Sequence, residues 1–273
     1  MLGLGAVVGA LFGVIAAWLA NVLPKRYGIE HFPPAAKQRR RNVALVLAST
    51  AVGAGVGHVL SNVHDDALWH VGLLLAVNAG VAAVLLAGLA IDVEHMILPN
   101  EITLGTALVC LVTSPFRGVG WKMSLVGAVV GFLFTYGPFL LYKYVKKQSG
   151  MGVGDAKLAV AAGAWHGFEG MLFVVFAGAL QHILLGVALR ALGLRYEIPE
   201  SVRADIASLK ARAAAGDQDA VEELADDPLA NEPEDGSAMK MRLPMGPALV
   251  LASIEVLFLR RWLLDTIMPW FYR

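Results

Sequence analysis

The feature that constrains this chain most is a succession of long apolar runs separated by short polar links. The runs cover residues 2–23, 43–60, 67–91, 102–114, 121–142, 156–166, 171–192 and 244–259. A hydrocarbon core of about 30 Å requires about 20 helical residues, and in lipid a helix satisfies its own backbone hydrogen bonds. The pattern predicts an all-α polytopic membrane protein with about eight transmembrane helices, three of them short.

Composition agrees with a membrane protein and excludes several other classes. Hydrophobic residues make up 57% of the chain and charged residues 16%, whereas soluble domains are about half apolar and about a quarter charged. The formal net charge is zero, so nucleic-acid binding is not expected. The single cysteine, Cys110, can form neither an internal disulfide nor, alone, a cysteine-based zinc site. We therefore expect no metal site.

The placement of Lys and Arg predicts the orientation. Six basic residues lie between positions 25 and 41, after the first run, while the link 61–66 contains none. Basic links favour the cytoplasmic side, so the first link is expected in the cytoplasm and both chain ends outside. The arginines at 260 and 261 are an exception to this rule.

Four regions follow from this interpretation. Residues 1–60 are a helical hairpin with a short basic cytoplasmic link and no zinc region, and residues 61–194 are the membrane core that carries the chemistry. Residues 195–243 form an acidic cytoplasmic loop, with twelve acidic and six basic residues, interpreted as a solvated connector or a docking surface for a partner. Residues 244–273 form the last helix and a tail at the outer interface.

Two carboxylates at the ends of apolar runs are the candidates for chemistry. Asp92 closes the third run, and Asp155 follows a glycine-rich link and opens the sixth. Carboxylates there are costly and indicate function by default, and the predicted topology places both at the cytoplasmic face. Two carboxylates that share a site hold one proton between them, which suits acid–base catalysis. By spacing alone, Asp155 could equally be a helix N-cap, and Asp92, beside Glu94 and His95, a capping or interfacial carboxylate.

Three motifs together resemble the prepilin peptidase family, the GxGD-type intramembrane aspartyl proteases. The resemblance covers about residues 67–192 and 244–259. Its motifs are Asp92 with Leu98-Pro99-Asn100, then Gly152-x-Gly154-Asp155-x-Lys157, and Pro244-Met245-Gly246-Pro247.

The resemblance implies that Asp92 and Asp155 are catalytic. It assigns supporting positions to Pro99, Asn100, Gly152, Gly154, Lys157, Pro244, Gly246 and Pro247; Lys157 could equally extend to the membrane surface. The implied reaction is cleavage of the leader peptide of type IV prepilins or type II secretion pseudopilins, at the cytoplasmic face of the bacterial inner membrane. The implied partners are the substrate helix and membrane lipid. No cofactor is implied, except S-adenosylmethionine if methyl transfer is retained.

One departure and two rival functions stay open. Many family members carry two Cys-x-x-Cys pairs near the N-terminus and methylate their product, whereas the first link here contains no cysteine. A zinc site is excluded there, and methyl transfer is left open. The rivals are a proton-coupled transporter, since such proteins also use intramembrane acids and broken helices, and a non-proteolytic assembly protein of a secretion system.

Overall fold

The computed structural model describes residues 1–61, 67–146, 153–194, 196, 198–226 and 243–266. These residues form helices and turns and contain no strand, which confirms the predicted all-α class. The helices are α1 (Leu2–Arg26), α2 (Ala35–Leu60), α3 (Leu68–His95), α4 (Asn100–Thr113), a 3-10 helix (Ser114–Arg117), α5 (Trp121–Lys146), α6 (Val153–Ala191), α7 (Glu200–Ala214), α8 (Gln218–Asp226) and α9 (Gly246–Thr266).

The helices have the length and the surface of membrane helices. Within the described residues α1, α2, α3 and α6 are long and apolar enough to span a bilayer, and α9 contains the shorter apolar stretch Gly246–Leu259. Large apolar side chains on the outer faces are solvent-accessible, among them Leu47, Leu108 and Phe176. Exposed apolar surface this extensive is expected where lipid is the solvent. The chain is a membrane protein, and the count of about eight spans stays a prediction.

Helix α6 reverses direction at Gly167. Its φ of 76° and ψ of −173° are non-helical, a conformation that glycine adopts at little cost. Two glycines of α5 each face one residue before the turn and one after it: Gly127 faces Gly163 and Phe168, and Gly131 faces Ala159 and Met171. From Gly127 to Gly131, α5 therefore passes residues that lie farther from Gly167 in both parts of α6. The two parts of α6 are antiparallel and match the separately predicted runs 156–166 and 171–192.

Helix α3 lies at the centre of the bundle and defines its two ends. At the far end, His70 in its first turn lies 2.6 Å from the carbonyl oxygen of Phe116. Arg117, also at this end, donates to the carbonyl oxygens of Trp165 and Ala164 beside the α6 turn. The opposite end holds the last turn of α3 and the first turns of α4, α6 and α9. We call it the aspartate end, because it carries Asp92 and Asp155.

The predicted acidic loop contains two helices, α7 and α8. Helix α7 lies beside the end of α3, where the Ser201 hydroxyl is 3.0 Å from Nδ1 of His95. Helix α9 continues to Thr266, past the predicted boundary at residue 259. Gly152, the linker 227–242 and the last tail residues 267–273 lie outside the described residues, and the four-region division stays a prediction.

Candidate active site

Asp92 lies in the last turn of α3, where the helix is brought to an abrupt end. Its side chain is buried, with the residue only 6% exposed. The Asp92 carbonyl oxygen accepts a hydrogen bond of 2.8 Å from the Met96 amide. Met96 has a left-handed backbone, with φ of 53°, which is uncommon for a residue with a side chain. This residue directs the chain out of α3 and into the Pro99 turn that starts α4.

The main chain at Gly246 lies directly against the Asp92 carboxylate. A Cβ at position 246 would overlap Oδ2 of Asp92 and lie 3.1 Å from its Cγ. Oδ2 is buried and receives no well-formed hydrogen bond from the described residues. An unsatisfied buried polar atom is costly and calls for an explanation. Position 246 has to be glycine for the carboxylate to occupy this place, because any Cβ there would overlap Oδ2.

Asp155 is brought to the same place by α6. It lies in the first turn of this helix and is half-buried. Its charge interacts with that of Asp92, so the two carboxylates, 63 positions apart in sequence, face one site. The structure thus brings the predicted pair together.

The first two motifs are joined by a direct polar contact. The ammonium group of Lys157, two residues after Asp155, donates a hydrogen bond of 2.8 Å to the side-chain oxygen of Asn100. The Asn100 amide donates to the Tyr27 hydroxyl at 2.9 Å. The carbonyl oxygen of Pro99 accepts bonds from the first amides of α4. Three predicted supporting residues, Pro99, Asn100 and Lys157, therefore fix the start of α4 against the start of α6.

Leu98 is the apolar contact common to all three motifs. A Cβ at Gly154 would lie 3.2 Å from Cβ of Leu98, and one at Gly246 would lie 3.3 Å from its Cδ1. Both glycines thus allow close approach of a helix start to the Pro99 turn. The neighbouring prolines fit this arrangement: Pro244 precedes α9, and Pro247 lies in its first turn, where a missing N–H costs no helical hydrogen bond.

Tyr196 belongs to the site and was missed by the sequence motifs. Its hydroxyl donates a hydrogen bond of 2.9 Å to the carbonyl oxygen of Val93, the residue after Asp92. Burial, together with the nearby charge of Asp92, raises the pKa of Tyr196 to about 12. The hydroxyl therefore stays protonated and remains a donor at neutral pH. Nothing in the sequence around position 196 distinguishes this tyrosine from an ordinary loop aromatic.

A buried ion pair anchors the same turn of α3. Arg41 pairs with Glu94, and the side chains are 8% and 6% exposed. The Arg41 guanidinium also donates to the side-chain oxygen of Asn21 on α1. His95 lies beside this pair and near the Ser201 hydroxyl. The structure places Glu94 and His95 in hydrogen-bonding positions. The sequence indicates Arg41 only as part of a basic link, and its partner Glu94 comes from the structure.

The described residues bring no group of three His, Cys, Asp or Glu side chains close enough to bind a metal ion. The expectation that the site uses neither metal nor cofactor stays a prediction.

Comparison with known proteins gives one family. Residues 79–187, which include both aspartates, match the model of the type IV leader peptidase family. Among curated proteins, the prepilin leader peptidase/N-methyltransferase of Stutzerimonas stutzeri is 32% identical over 127 residues, 46% of this chain and 43% of that protein. The proteins of the same name from Pseudomonas aeruginosa and Xanthomonas campestris are 32% and 36% identical, over 42% and 36% of their lengths.

The chain spans less than half the length of these curated relatives. No solved structure gives a significant match. Residues 79–187 of this chain are therefore similar to the type IV leader peptidase family.

Proposed function

We propose that this protein is a membrane aspartyl endopeptidase that removes leader peptides from type IV prepilins or type II secretion pseudopilins. The observation that carries the proposal is the meeting of Asp92 and Asp155 at one end of the bundle, with one oxygen of Asp92 buried and without a well-formed hydrogen bond from the described residues. The names of the matched relatives support the same substrate class.

The chemistry follows from two carboxylates that share one proton. The ionised carboxylate takes a proton from a water molecule, whose oxygen then attacks the scissile carbonyl carbon. The protonated carboxylate donates to the carbonyl oxygen, on which negative charge develops. The tetrahedral intermediate breaks at the C–N bond as the first carboxylate passes the proton that it took from water to the leaving amine, and the new carboxyl group returns a proton to the second carboxylate. The two groups titrate as a pair, so neither role is assigned to one residue.

The position of the site suits a substrate cut at the edge of its own apolar helix. Asp92 is three residues from the end of α3, and Asp155 is the third residue of α6, so the carboxylates lie at one end of the bundle and not at its middle. A carrier would place its acids near the bilayer midplane. We place the aspartate end at the cytoplasmic face on the basis of the basic residues between positions 25 and 41. The bacterial inner membrane follows from the family resemblance.

Co-expression with a panel of prepilin and pseudopilin precursors tests the proposal. Wild type, Asp92→Asn and Asp155→Asn are compared by gel shift, and the cleaved product is sequenced by mass spectrometry. Each variant keeps the side-chain volume but removes a carboxylate that shares the proton, so cleavage is expected to fall about a thousandfold. Asp217→Asn is the matched control, because this carboxylate lies in the acidic loop and pairs with Arg212.

Two results would contradict the proposal. Correctly inserted wild type that leaves every precursor of the panel intact would exclude the activity. Cleavage at the wild-type rate by either site variant would remove that aspartate from the mechanism. Asp217→Asn should cleave like wild type, which shows that the assay reports catalysis and not expression or folding.

A further inference from the structure

A cavity of about 710 Å³ lies between α1 and α2 at the aspartate end of the bundle. Its polar part contains Lys25 and Arg39 together with three side-chain amides. Its apolar part continues along α2. The lining includes Asn21, Lys25 and Arg39 in the polar part and Val43, Val46 and Leu47 in the apolar part.

The cavity exists because α1 and α2 are in close contact only over part of their length. Toward the far end, small residues on both helices interlock: a Cβ at Gly9 would overlap the Ser49 carbonyl oxygen, and one at Gly53 would lie 2.7 Å from Cα of Gly9. Such spacing of small residues is typical of close helix pairs in membranes. The last glycine of the contact on α1 is Gly13, which faces Val46 and Ser49. Toward the aspartate end, the space between the two helices is this cavity, which we call the wedge.

The polar part of the wedge carries unbalanced positive charge. Lys25 and Arg39 both line it, and neither forms an ion pair with a described carboxylate. The Lys25 ammonium lies 5.6 Å from the centre of the Phe32 ring, a contact that orients the cation without neutralising it. Two cations facing one space without a counter-ion favour an anionic occupant.

The apolar part opens sideways, toward the surface that lipid covers. Val43 and Leu47 are 52% and 64% exposed, and Val46, which also lines the cavity, faces Gly13 of α1. These residues follow Arg39 by one and two helical turns, in the direction of the bilayer interior. A ligand that fits must therefore carry its negative charge at the end of the bundle and a hydrocarbon chain along α2.

We propose that this cavity binds one anionic phospholipid, with its phosphate between Lys25 and Arg39 and an acyl chain along Val43, Val46 and Leu47. The occupied cavity touches the anchor of the active site. Asn21 lines the cavity and accepts a hydrogen bond from Arg41, which pairs with Glu94 two residues after Asp92. The bound lipid thus holds the ends of α1 and α2 in the separation that Arg41 needs to reach Glu94. This inference does not depend on the proposed proteolytic activity.

The test measures lipid binding to the purified, delipidated full chain in neutral detergent. Phosphatidylglycerol, phosphatidylcholine and soluble glycerol phosphate are titrated separately, and binding is followed by the melting temperature and by native mass spectrometry. We expect one saturable phosphatidylglycerol site and a higher melting temperature. Each basic residue near the lipid surface contributes about fivefold to affinity. The double variant Lys25→Gln/Arg39→Gln should therefore bind phosphatidylglycerol about 25-fold more weakly.

The matched control is Arg26→Gln/Arg40→Gln. It removes the same charge from the neighbouring positions, which are exposed and do not line the cavity, and it should bind phosphatidylglycerol like wild type. Val43→Trp, which fills the apolar part, should weaken phosphatidylglycerol binding without removing a charge.

Four results would overturn the proposal. An equal loss of affinity in the Arg26/Arg40 control would mean that the attraction is diffuse. Equal affinity for phosphatidylcholine would remove the role of the cations, and glycerol phosphate binding as tightly as the lipid would mean that the site takes a soluble phosphate. Native mass spectra of wild type with no retained phosphatidylglycerol would exclude the site.

Discussion

The contact between Gly246 and Asp92 gives the sharpest prediction for the candidate active site. In Gly246→Ala, the new methyl group would overlap Oδ2 of Asp92 and lie 3.1 Å from Cγ of this residue and 3.3 Å from Cδ1 of Leu98. Carbon atoms in good contact lie about 3.5–4.0 Å apart. The carboxylate, the start of α9, or both must therefore move by about 1 Å.

A displacement of this size is large for catalysis and moderate for folding. Misplacing a reacting group by about 1 Å can cost about 100-fold in rate, equivalent to about 2.7 kcal/mol of transition-state stabilisation. An extra methyl group in a packed site costs about 1–3 kcal/mol of stability. We expect kcat/KM of Gly246→Ala for a cleavable precursor to fall about 100-fold while the protein remains folded, as measured by its melting temperature in detergent.

Gly105→Ala is the control for the substitution itself. Gly105 lies in α4, and a Cβ there would meet nothing within 4 Å. Alanine is preferred to glycine inside a helix by about 1 kcal/mol, so this variant should be fully active and no less stable. If Gly246→Ala cleaves as fast as wild type, the main chain at 246 does not support the Asp92 carboxylate in the active protein. If Gly105→Ala is equally impaired, helix flexibility is the cause instead.

Two further predictions concern the residues that hold the end of α3. Arg41→Met leaves the Glu94 carboxylate buried without its partner, which should destabilise the protein by about 3–5 kcal/mol. Arg212→Met, at the exposed pair with Asp217, should leave the melting temperature unchanged. Equal effects of the two variants on the melting temperature would show that the burial of the first pair does not matter. Because the pKa of Tyr196 is about 12 in the folded protein and 10 as its ordinary value, the unfolded chain loses this proton first, and stability should decline as pH rises from 10 to 12. Tyr196→Phe should abolish this part of the alkaline decline in stability. It should also reduce kcat/KM several-fold without altering the pH–rate profile below pH 9. A melting curve at alkaline pH that matches that of wild type would contradict the raised pKa of Tyr196.

Local sequence patterns predicted the elements of the fold and the two carboxylates. The apolar runs gave the helices because a bilayer imposes a minimum length on each span. The interval between the runs 156–166 and 171–192 contains Gly167, and the chain reverses there because glycine tolerates its positive φ. Asp92 and Asp155 were predictable because a carboxylate at the end of an apolar helix is costly and therefore conspicuous.

The surroundings of the carboxylates were not predictable from local patterns. Tyr196 bonds to a residue 103 positions away, and Arg41 pairs with a residue 53 positions away. Neither partner is specified by helical periodicity, because each contact depends on how separate helices pack. A basic residue after an apolar run indicates orientation, and this interpretation of Arg41 concealed its partner Glu94. Tertiary packing alone distinguishes a buried ion-pair residue from a topogenic one.

The balance between small and charged residues explains why the site lies at the end of the bundle. Gly154 and Gly246 allow two helix starts to pack on Leu98, and this closeness brings the main chain at 246 against Asp92. Oδ2 is nevertheless buried without a well-formed hydrogen bond among the described residues. The turn that holds such a costly group must be fixed by other contacts. The buried pair of Arg41 with Glu94, two residues beyond Asp92, supplies one at the same end of α3. A catalytic carboxylate deeper in the bilayer would have to be held without a cation drawn from the membrane surface.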